Sequence, residues 1–271
     1  MSQKMMKGAV YTAAALTMGI IGFMLIYILV MGIPHISPEL FSFTYTTENV
    51  SLFPAFINTI LITVVSLMVA IPIGVCSAIY LVEYARRGNR FVKIIRITAE
   101  TLSGIPSIVY GLFGMLFFVT TLKWGYSILA GAFTLAIMIL PLIMRTTEEA
   151  LQAVPDTFRE GSFGLGAGKL RTIFIIILPA AMPGILSGIV LAIGRIVGET
   201  AALIFTAGTV ADIPGKHGLF SSGRTLAVHM YALSSEGLYV NQAYATAVIL
   251  VVIVILMNGL SGLIAKKLTK S

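Results

Sequence analysis

The sequence predicts an all-α integral membrane protein with six transmembrane helices. Of its 271 residues, 58% are hydrophobic and only 11% are charged. So few polar side chains cannot cover the surface of a water-soluble globule, which excludes a soluble enzyme as a function class. The apolar residues also form six separate stretches of the length that a membrane helix needs, about 20 residues for a hydrocarbon core about 30 Å thick.

The six predicted spans are joined by polar loops. They are placed at Gly8–Ile33, Ala55–Val82, Ile105–Leu122, Ser127–Met144, Pro183–Ala207 and Ala243–Ala265. The first follows Lys4 and Lys7 as in a signal peptide, but its apolar run is far longer than the roughly 7 to 15 residues of such a segment. We therefore expect this stretch to remain in the protein as an anchor.

The predicted organisation has three parts. Residues 1–54 form the anchor helix with the first outer loop, residues 55–265 form the transmembrane core, and residues 266–271 form a short cytoplasmic tail. Within the core, residues 145–181 are the longest predicted cytoplasmic stretch.

The basic residues are sorted by side of the membrane. The chain has 18 Lys and Arg residues against 11 Asp and Glu residues, for a net charge of +7. Fourteen of the 18 fall on one side of the predicted spans, and only Lys123, Lys216 and Arg224 fall on the other. Cytoplasmic loops carry the excess of positive charge, so both termini are predicted to be cytoplasmic. The run Arg86 to Arg96 is expected to anchor the topology, with contact to anionic membrane lipid as a side effect, and no nucleic acid partner is predicted.

Cysteine and histidine give no sign of redox or metal chemistry. The single cysteine, Cys76, excludes an intrachain disulfide and a multi-cysteine metal site. The three histidines, His35, His217 and His229, all lie in predicted outer loops, where we expect solvated side chains rather than metal ligands. No metal is therefore predicted.

The cytoplasmic stretch is predicted to form a compact knob. Glycines at 161, 164, 166 and 168 interrupt its helical pattern, and each makes a continuous helix less favourable by about 1 kcal/mol relative to alanine. A second helix is expected to follow and to end near Pro179. The apolar run Ile173 to Leu178 between them is too short to cross the bilayer, so something other than lipid must cover it. Helix, bend and helix make a shape suited to insertion into a groove on a partner.

This knob carries the sequence by which the chain resembles the permease subunits of binding-protein-dependent ABC importers. Their signature is Glu-Ala-Ala, three residues, Gly, nine residues, then Ile-x-Leu-Pro. Here Glu160, Gly161 and Ser162 stand at the first triplet, Gly166 follows after three residues, and Ile176, Leu178 and Pro179 follow after nine more. Both alanines of the triplet are replaced by small residues. The resemblance implies a type I ABC importer permease fold.

The same resemblance implies that this loop docks into a separate ATPase subunit. Glu160, Gly161, Ser162 and Gly166, with Leu178 and Pro179 at the end of the signature, are the residues that it assigns to coupling. The chain itself has no evident nucleotide site, because a Walker A loop ending at Gly168-Lys169 would need a glycine and a hydroxyl where Phe163 and Leu170 stand. ATP and magnesium are therefore expected on the partner, with no cofactor in this chain and no enzyme activity of its own.

An arginine and a glutamate lie inside the fifth predicted span. Arg195 and Glu199 are four residues apart, which would place them on one face of a continuous helix. A charge within the bilayer is costly and is by default a functional hypothesis. We expect Arg195 to offer its donor fork to an oxyanion while Glu199 holds it and prevents overly tight binding. The alternative is a neutralising pair that only locks helices together.

Two sequence blocks are similar to the phosphate branch, the PstA type, of these permeases. They are Gly194 to Leu203 and Glu100 to Phe113. The resemblance implies import of inorganic phosphate, with a second homologous permease, two ATPase copies and an extracytoplasmic phosphate-binding protein as partners. The residues predicted to line the substrate path are Arg195, Glu199, Thr200, Ser107 and Tyr110.

Several alternatives stay open from the sequence. The same scaffold could carry sulfate, molybdate or an uncharged solute, or the chain could be a membrane enzyme or a structural bundle with no ATPase partner. For the block Glu100 to Phe113, ordinary helix packing at Gly104 and Gly111 competes with a role for its hydroxyl groups in the path.

Overall fold

The computed structural model describes residues 3–86, 88–215 and 217–269. Helices make up the regular structure of these residues, and no strand occurs among them, which confirms the predicted all-α fold class. Arg87, Lys216 and Lys270, which entered the sorting of basic residues, and Ser271 of the predicted tail lie outside the described part. The same holds for the side chains of Lys4, Lys266 and Lys267.

Eleven α-helices follow one another in the described residues. They are α1 (Gln3–Gly32), α2 (Phe53–Ile79), α3 (Arg90–Ser103), α4 (Ser107–Gly114), α5 (Ile128–Gln152), α6 (Asp156–Gly164), α7 (Lys169–Thr172), α8 (Leu178–Val197), α9 (Ala201–Ile204), α10 (Leu226–Glu236) and α11 (Val240–Thr269). Three π-helical segments continue or join them, at Tyr80–Tyr84, Met115–Thr121 and Ile173–Ile177. Short 3-10 helices lie at Ile33–His35, Pro38–Phe41 and Gly218–Phe220.

Five helical segments are long and apolar enough to cross a membrane, and a sixth candidate is bent. The five are Met6–His35, Phe53–Tyr84, Ile128–Gln152, Lys169–Val197 and Val240–Met257. The bent candidate combines α3 with Ser107–Thr121, at an angle of 100°. The bend falls at Gly104 to Pro106, because a proline ring disfavours helical geometry in the residue before it. Counted as one span, the bent pair gives the six spans that the sequence predicts.

The core of the bundle is the contact between α2 and α5. Ile62 of α2 and Leu135, Ile139 and Ile143 of α5 are fully buried in one apolar cluster. The helices approach closely at Gly74, where an added Cβ would lie 2.9 Å from Ile143 Cγ2. Small residues at helix contacts are the usual means by which membrane helices pack closely. This central pair holds the elements that carry the candidate site.

Helix α1 lies at the periphery of the bundle. It packs against α11, with Gly32 meeting Tyr244 and Val248, and nearly all its side chains are exposed. Long, apolar and exposed helices are stable only with lipid around them. This helix is long and apolar enough to cross a membrane, and its role as an anchor stays a prediction.

The structure corrects the fifth span and the loop before it. Helix α5 continues to Gln152, and a single helical segment runs from Lys169 to Val197, so the predicted span Pro183–Ala207 is wrong at both ends. The run Ile173 to Leu178 belongs to this helix, whose predicted stop near Pro179 is also wrong. Pro179 stands in the first turn of α8, directly after a π-helical segment, where its missing N–H is tolerated.

Candidate translocation path and coupling loop

The candidate path contains a break between α8 and α9. Helix α8 ends at Val197, and Gly198, Glu199 and Thr200 lie outside both helices. The prediction that Arg195 and Glu199 share one face of a continuous helix is therefore wrong. Among the described residues, no ion pair joins them.

Glu199 instead caps the next helix. Its side chain is 9% exposed, and Oε1 accepts a hydrogen bond of 3.1 Å from the backbone N–H of Ala202 in α9. The first N–H groups of a helix have no partner within the helix, so a carboxylate placed there satisfies one of them. Thr200, beside it, is half-buried and makes no capping hydrogen bond.

Arg195 lies in the last turn of α8 and is half-buried. A positive charge is favourable at this position because the carbonyl end of a helix carries a partial negative charge. Because the Glu199 carboxylate accepts its hydrogen bond from α9, it does not pair with Arg195, and the guanidinium can donate to another acceptor.

The two predicted path residues of α4 differ in their surroundings. Ser107 begins α4 and is half-buried, whereas Tyr110 is buried. The Tyr110 hydroxyl donates a hydrogen bond of 2.8 Å to the carbonyl of Leu102 in α3. Tyr110 thus braces the bend between α3 and α4, and its proton is already in use.

The two breaks in the helices are neighbours. Helix α4 follows the break at Gly104 to Pro106, α9 follows the break at Gly198 to Thr200, and α4 packs against α9. At Gly111 the approach is so close that a Cβ would lie 2.7 Å from the Cα of Ala202. Irregular backbone at membrane depth is tolerated only where protein covers it or water reaches it. A guanidinium beside such breaks can bind an oxyanion through charge-assisted hydrogen bonds.

The predicted knob is α6, and one arginine fastens it to the bundle. Arg159 Nη2 forms an ion pair of 2.7 Å with Oε1 of Glu83, at the end of the segment that continues α2. The same guanidinium donates to the carbonyls of Val154 at 2.8 Å and Leu151 at 3.0 Å. Side-chain exposures of 15% for Arg159 and 8% for Glu83 show that this pair is mostly buried. No pattern in the sequence predicts this partner, which is 76 residues away in the chain.

The far side of the knob is exposed. Glu160 and Gly161 lie on its surface, whereas Ser162 is buried and hydrogen-bonds Thr172 at 2.8 Å. Gly166 turns the chain after α6 with φ of +80°, a backbone conformation that residues other than glycine rarely adopt. The tip presents Leu165, which is 91% exposed, for contact with another molecule.

The last two residues of the coupling signature are not part of the knob. Leu178 and Pro179 begin α8 and belong to the long spanning segment that starts at Lys169. The structure therefore brings Glu160, Gly161, Ser162 and Gly166 together and leaves these two about two turns beyond α7. These two residues therefore belong to the spanning segment and not to the knob.

His229 contradicts its prediction as a solvated loop residue. It lies in α10 with none of its surface exposed, beside the buried Arg224. Burial, and to a lesser degree the positive charge of Arg224, lower its pKa from 6.5 to about 3, while a contact with the backbone of Val50 opposes them. His35 and His217 are exposed as predicted. Among the described residues, no group of three or more His, Cys, Asp or Glu is arranged to hold a metal.

The sequence of the chain is similar to those of membrane transport proteins. The profile of the family described as binding-protein-dependent transport system inner membrane component matches residues 70–270. The chain is 32% identical to the probable ABC transporter permease protein YqgI of Bacillus subtilis, over 99% of this chain and 98% of that protein. It is 33% identical to the phosphate transport system permease protein PstA of Haemophilus influenzae, over 94% and 90% respectively.

The fold also has a solved counterpart. A chain of the bacterial alginate ABC transporter superposes with a TM-score of 0.68 and 16% identity, over 99% of this chain and 98% of that one. At this identity the likeness concerns the backbone alone. It confirms the predicted type I ABC importer permease fold.

Proposed function

The chain belongs to the family of binding-protein-dependent transport system inner membrane components, and we propose that it is the permease subunit through which an ATP-driven importer carries inorganic phosphate across a bacterial cytoplasmic membrane. The family and the apolar helices make the chain a multi-pass membrane permease. Phosphate as the substrate, the sidedness and the identity of the partners are the proposed part.

Arg195 is the observation that carries the proposal. It is a half-buried cation next to the break at Gly198 to Thr200, after which α9 packs against α4, and no ion pair in the described residues occupies it. Arginine suits a tetrahedral oxyanion because its planar fork donates two parallel hydrogen bonds. The similarity to the phosphate permease of Haemophilus influenzae supports phosphate among the oxyanions.

Glu199 tunes this site without neutralising it. Its carboxylate lies four residues from Arg195 but is held by the backbone N–H of Ala202. A negative charge nearby limits how tightly an anion can bind, and transport needs binding that is weak enough to release. Thr200 and Ser107, both half-buried at the starts of their helices, are the hydroxyl groups proposed to complete the path.

Energy enters through the knob in this proposal. The exposed face with Glu160, Gly161 and Leu165 docks into a separate ATPase subunit, which binds ATP and magnesium. Arg159 then transmits the movement to α2, because it joins α6 to Glu83 by a buried ion pair. Two ATPase copies, a second homologous permease and an extracytoplasmic phosphate-binding protein complete the proposed importer.

Competition between oxyanions tests the substrate. The complex that co-purifies with this chain is reconstituted in liposomes, and ATP-dependent uptake of labelled phosphate is measured with a hundredfold excess of sulfate, molybdate or arsenate. We expect only arsenate, the close analogue of phosphate, to compete. Equal competition by sulfate or molybdate would remove phosphate as the specific substrate, and uptake without an ATPase would remove the importer assignment.

A further inference from the structure

Arg224 is a buried arginine outside the break that follows Arg195. Arg224 is 5% exposed and precedes α10, at the end of the bundle where α2 begins. We call this the α10 end. Asn58 of α2 fixes the backbone there, since its Nδ2 donates to the carbonyls of Asp212 at 2.9 Å and Arg224 at 3.2 Å.

The arginine lacks a negative partner. Within the described residues, no carboxylate forms an ion pair with Arg224. The acidic residues of the neighbouring loops and of α10 are all exposed, namely Glu39, Glu48, Asp212 and Glu236. The guanidinium instead stacks on Tyr45, with Cζ 4.7 Å from the ring centre. A buried charge without a counter-charge is strongly unfavourable, and an aromatic face offsets only part of that cost.

The unpartnered nitrogens of Arg224 are on one edge of the guanidinium. Nε and Nη2 are both buried and neither has a hydrogen-bond partner in the protein. These two N–H groups point in nearly the same direction, which is the geometry by which arginine grips a single anion. Two adjacent buried donors without partners indicate a bound ligand more strongly than a single one would.

His229 adds a third unpartnered group to the same place. Its ring meets the edge of Tyr45, with 6.1 Å between ring centres, so both Arg224 and His229 lie against one aromatic side chain. Neither of its nitrogens has a partner with good hydrogen-bond geometry, although the backbone of Val50 lies close to the ring. Asn58 Oδ1 is also unpartnered, but as an acceptor it does not favour an anion.

We propose that Arg224, His229 and Tyr45 form a buried site for one small monovalent anion, with chloride as the probe of its class. The Nε–Nη2 edge of Arg224 donates two hydrogen bonds to the ion, and the buried ring of His229, which lies against the same Tyr45 side chain, lines the site. The site is separate from Arg195 and does not rest on phosphate transport. Its role is to neutralise the buried charge and so to hold the loop carrying Tyr45 against α10.

Anion-dependent stability tests this site. The purified full-length chain with its co-purifying subunits is heated in potassium gluconate, chloride, bromide, nitrate or phosphate at equal ionic strength. We expect a saturable rise in Tm of about 5 °C with chloride or bromide over gluconate. Arg224→Gln is expected to abolish the rise, while Arg195→Gln and the exposed Arg145→Gln keep it.

Three results would overturn the proposal. They are an equal Tm in gluconate and halide, a halide effect that persists in Arg224→Gln, and stabilisation by phosphate alone. If Arg224→Gln does not fold, wild-type crystals in saturating bromide decide the question. An anomalous peak within hydrogen-bond distance of Nε and Nη2 supports the site, and the lack of one contradicts it.

Discussion

Arg159 and Arg224 are both mostly buried, but the two ends of the bundle treat them in opposite ways. Arg159 reaches Glu83 and two backbone carbonyls, whereas the Nε–Nη2 edge of Arg224 has no partner in the protein. Their contacts on α2 and its extension, Glu83 and Asn58, are about 38 Å apart along the helix. The comparison teaches that burial of an arginine does not define its role. The guanidinium of Arg159, whose donors have partners in the protein, joins two helices, whereas that of Arg224, which has unpartnered donors, is proposed to bind an ion.

Arg159→Ala tests the fastener and should have the largest effect. Glu83 would be left unpaired and buried, which costs about 3–5 kcal/mol in comparable cases. We expect a strongly lowered Tm and loss of ATPase co-purification. Arg145→Ala is the matched control, because its partner Glu149 is on the same exposed helix face and such pairs contribute at most about 0.5 kcal/mol. Equal effects of the two substitutions would contradict the distinction between them.

The α10 end should be sensitive to acid. Since the pKa of His229 is about 3 in the folded protein and about 6.5 in the unfolded chain, the folded state binds fewer protons between these values. The stability given by the neutral ring is full above pH 6.5 and is lost as pH falls below it, by about 2 kcal/mol at pH 5.

The fall in Tm between pH 7.5 and pH 5 measures this effect. His229→Gln should reduce it, and the exposed His217→Gln should leave it unchanged. An identical pH dependence in wild type and His229→Gln would show that the ring does not stay neutral.

Two glycines of similar backbone conformation give the smallest predicted difference. Gly166 in the knob has φ of +80° with nothing within 4 Å of an added Cβ, whereas Gly208 has φ of +85° with Ser222 in the way. Gly166→Ala should cost about 1 kcal/mol from backbone strain alone. Gly208→Ala should cost more, because Ser222 would also lose its 2.8 Å hydrogen bond to Ala207. A comparison of Tm values checks the order, and a reversed order would contradict it.

The sequence predicts the fold class and the number of spans because the length and apolarity of a helix report directly on the lipid around it. The sequence misplaces the fifth span because Pro179 is expected to end a helix. A proline can also stand in the first turn of one, and the sequence alone does not distinguish the two. The spacing of Arg195 and Glu199 implies one face only if the helix continues, and Gly198 ends it. The sequence also misses the burial of His229 and the partner of Arg159, since both depend on contacts between distant segments.

Phosphate uptake by Arg195→Gln tests the central claim most directly. Reconstituted importers with wild-type chain, Arg195→Gln and Arg195→Lys are compared after equal ATPase assembly has been confirmed. A lost charge-assisted bidentate contact should lower uptake about tenfold to a hundredfold in Arg195→Gln, with Arg195→Lys between the two. Uptake by Arg195→Gln at the wild-type rate would contradict the assignment of this arginine to the phosphate path.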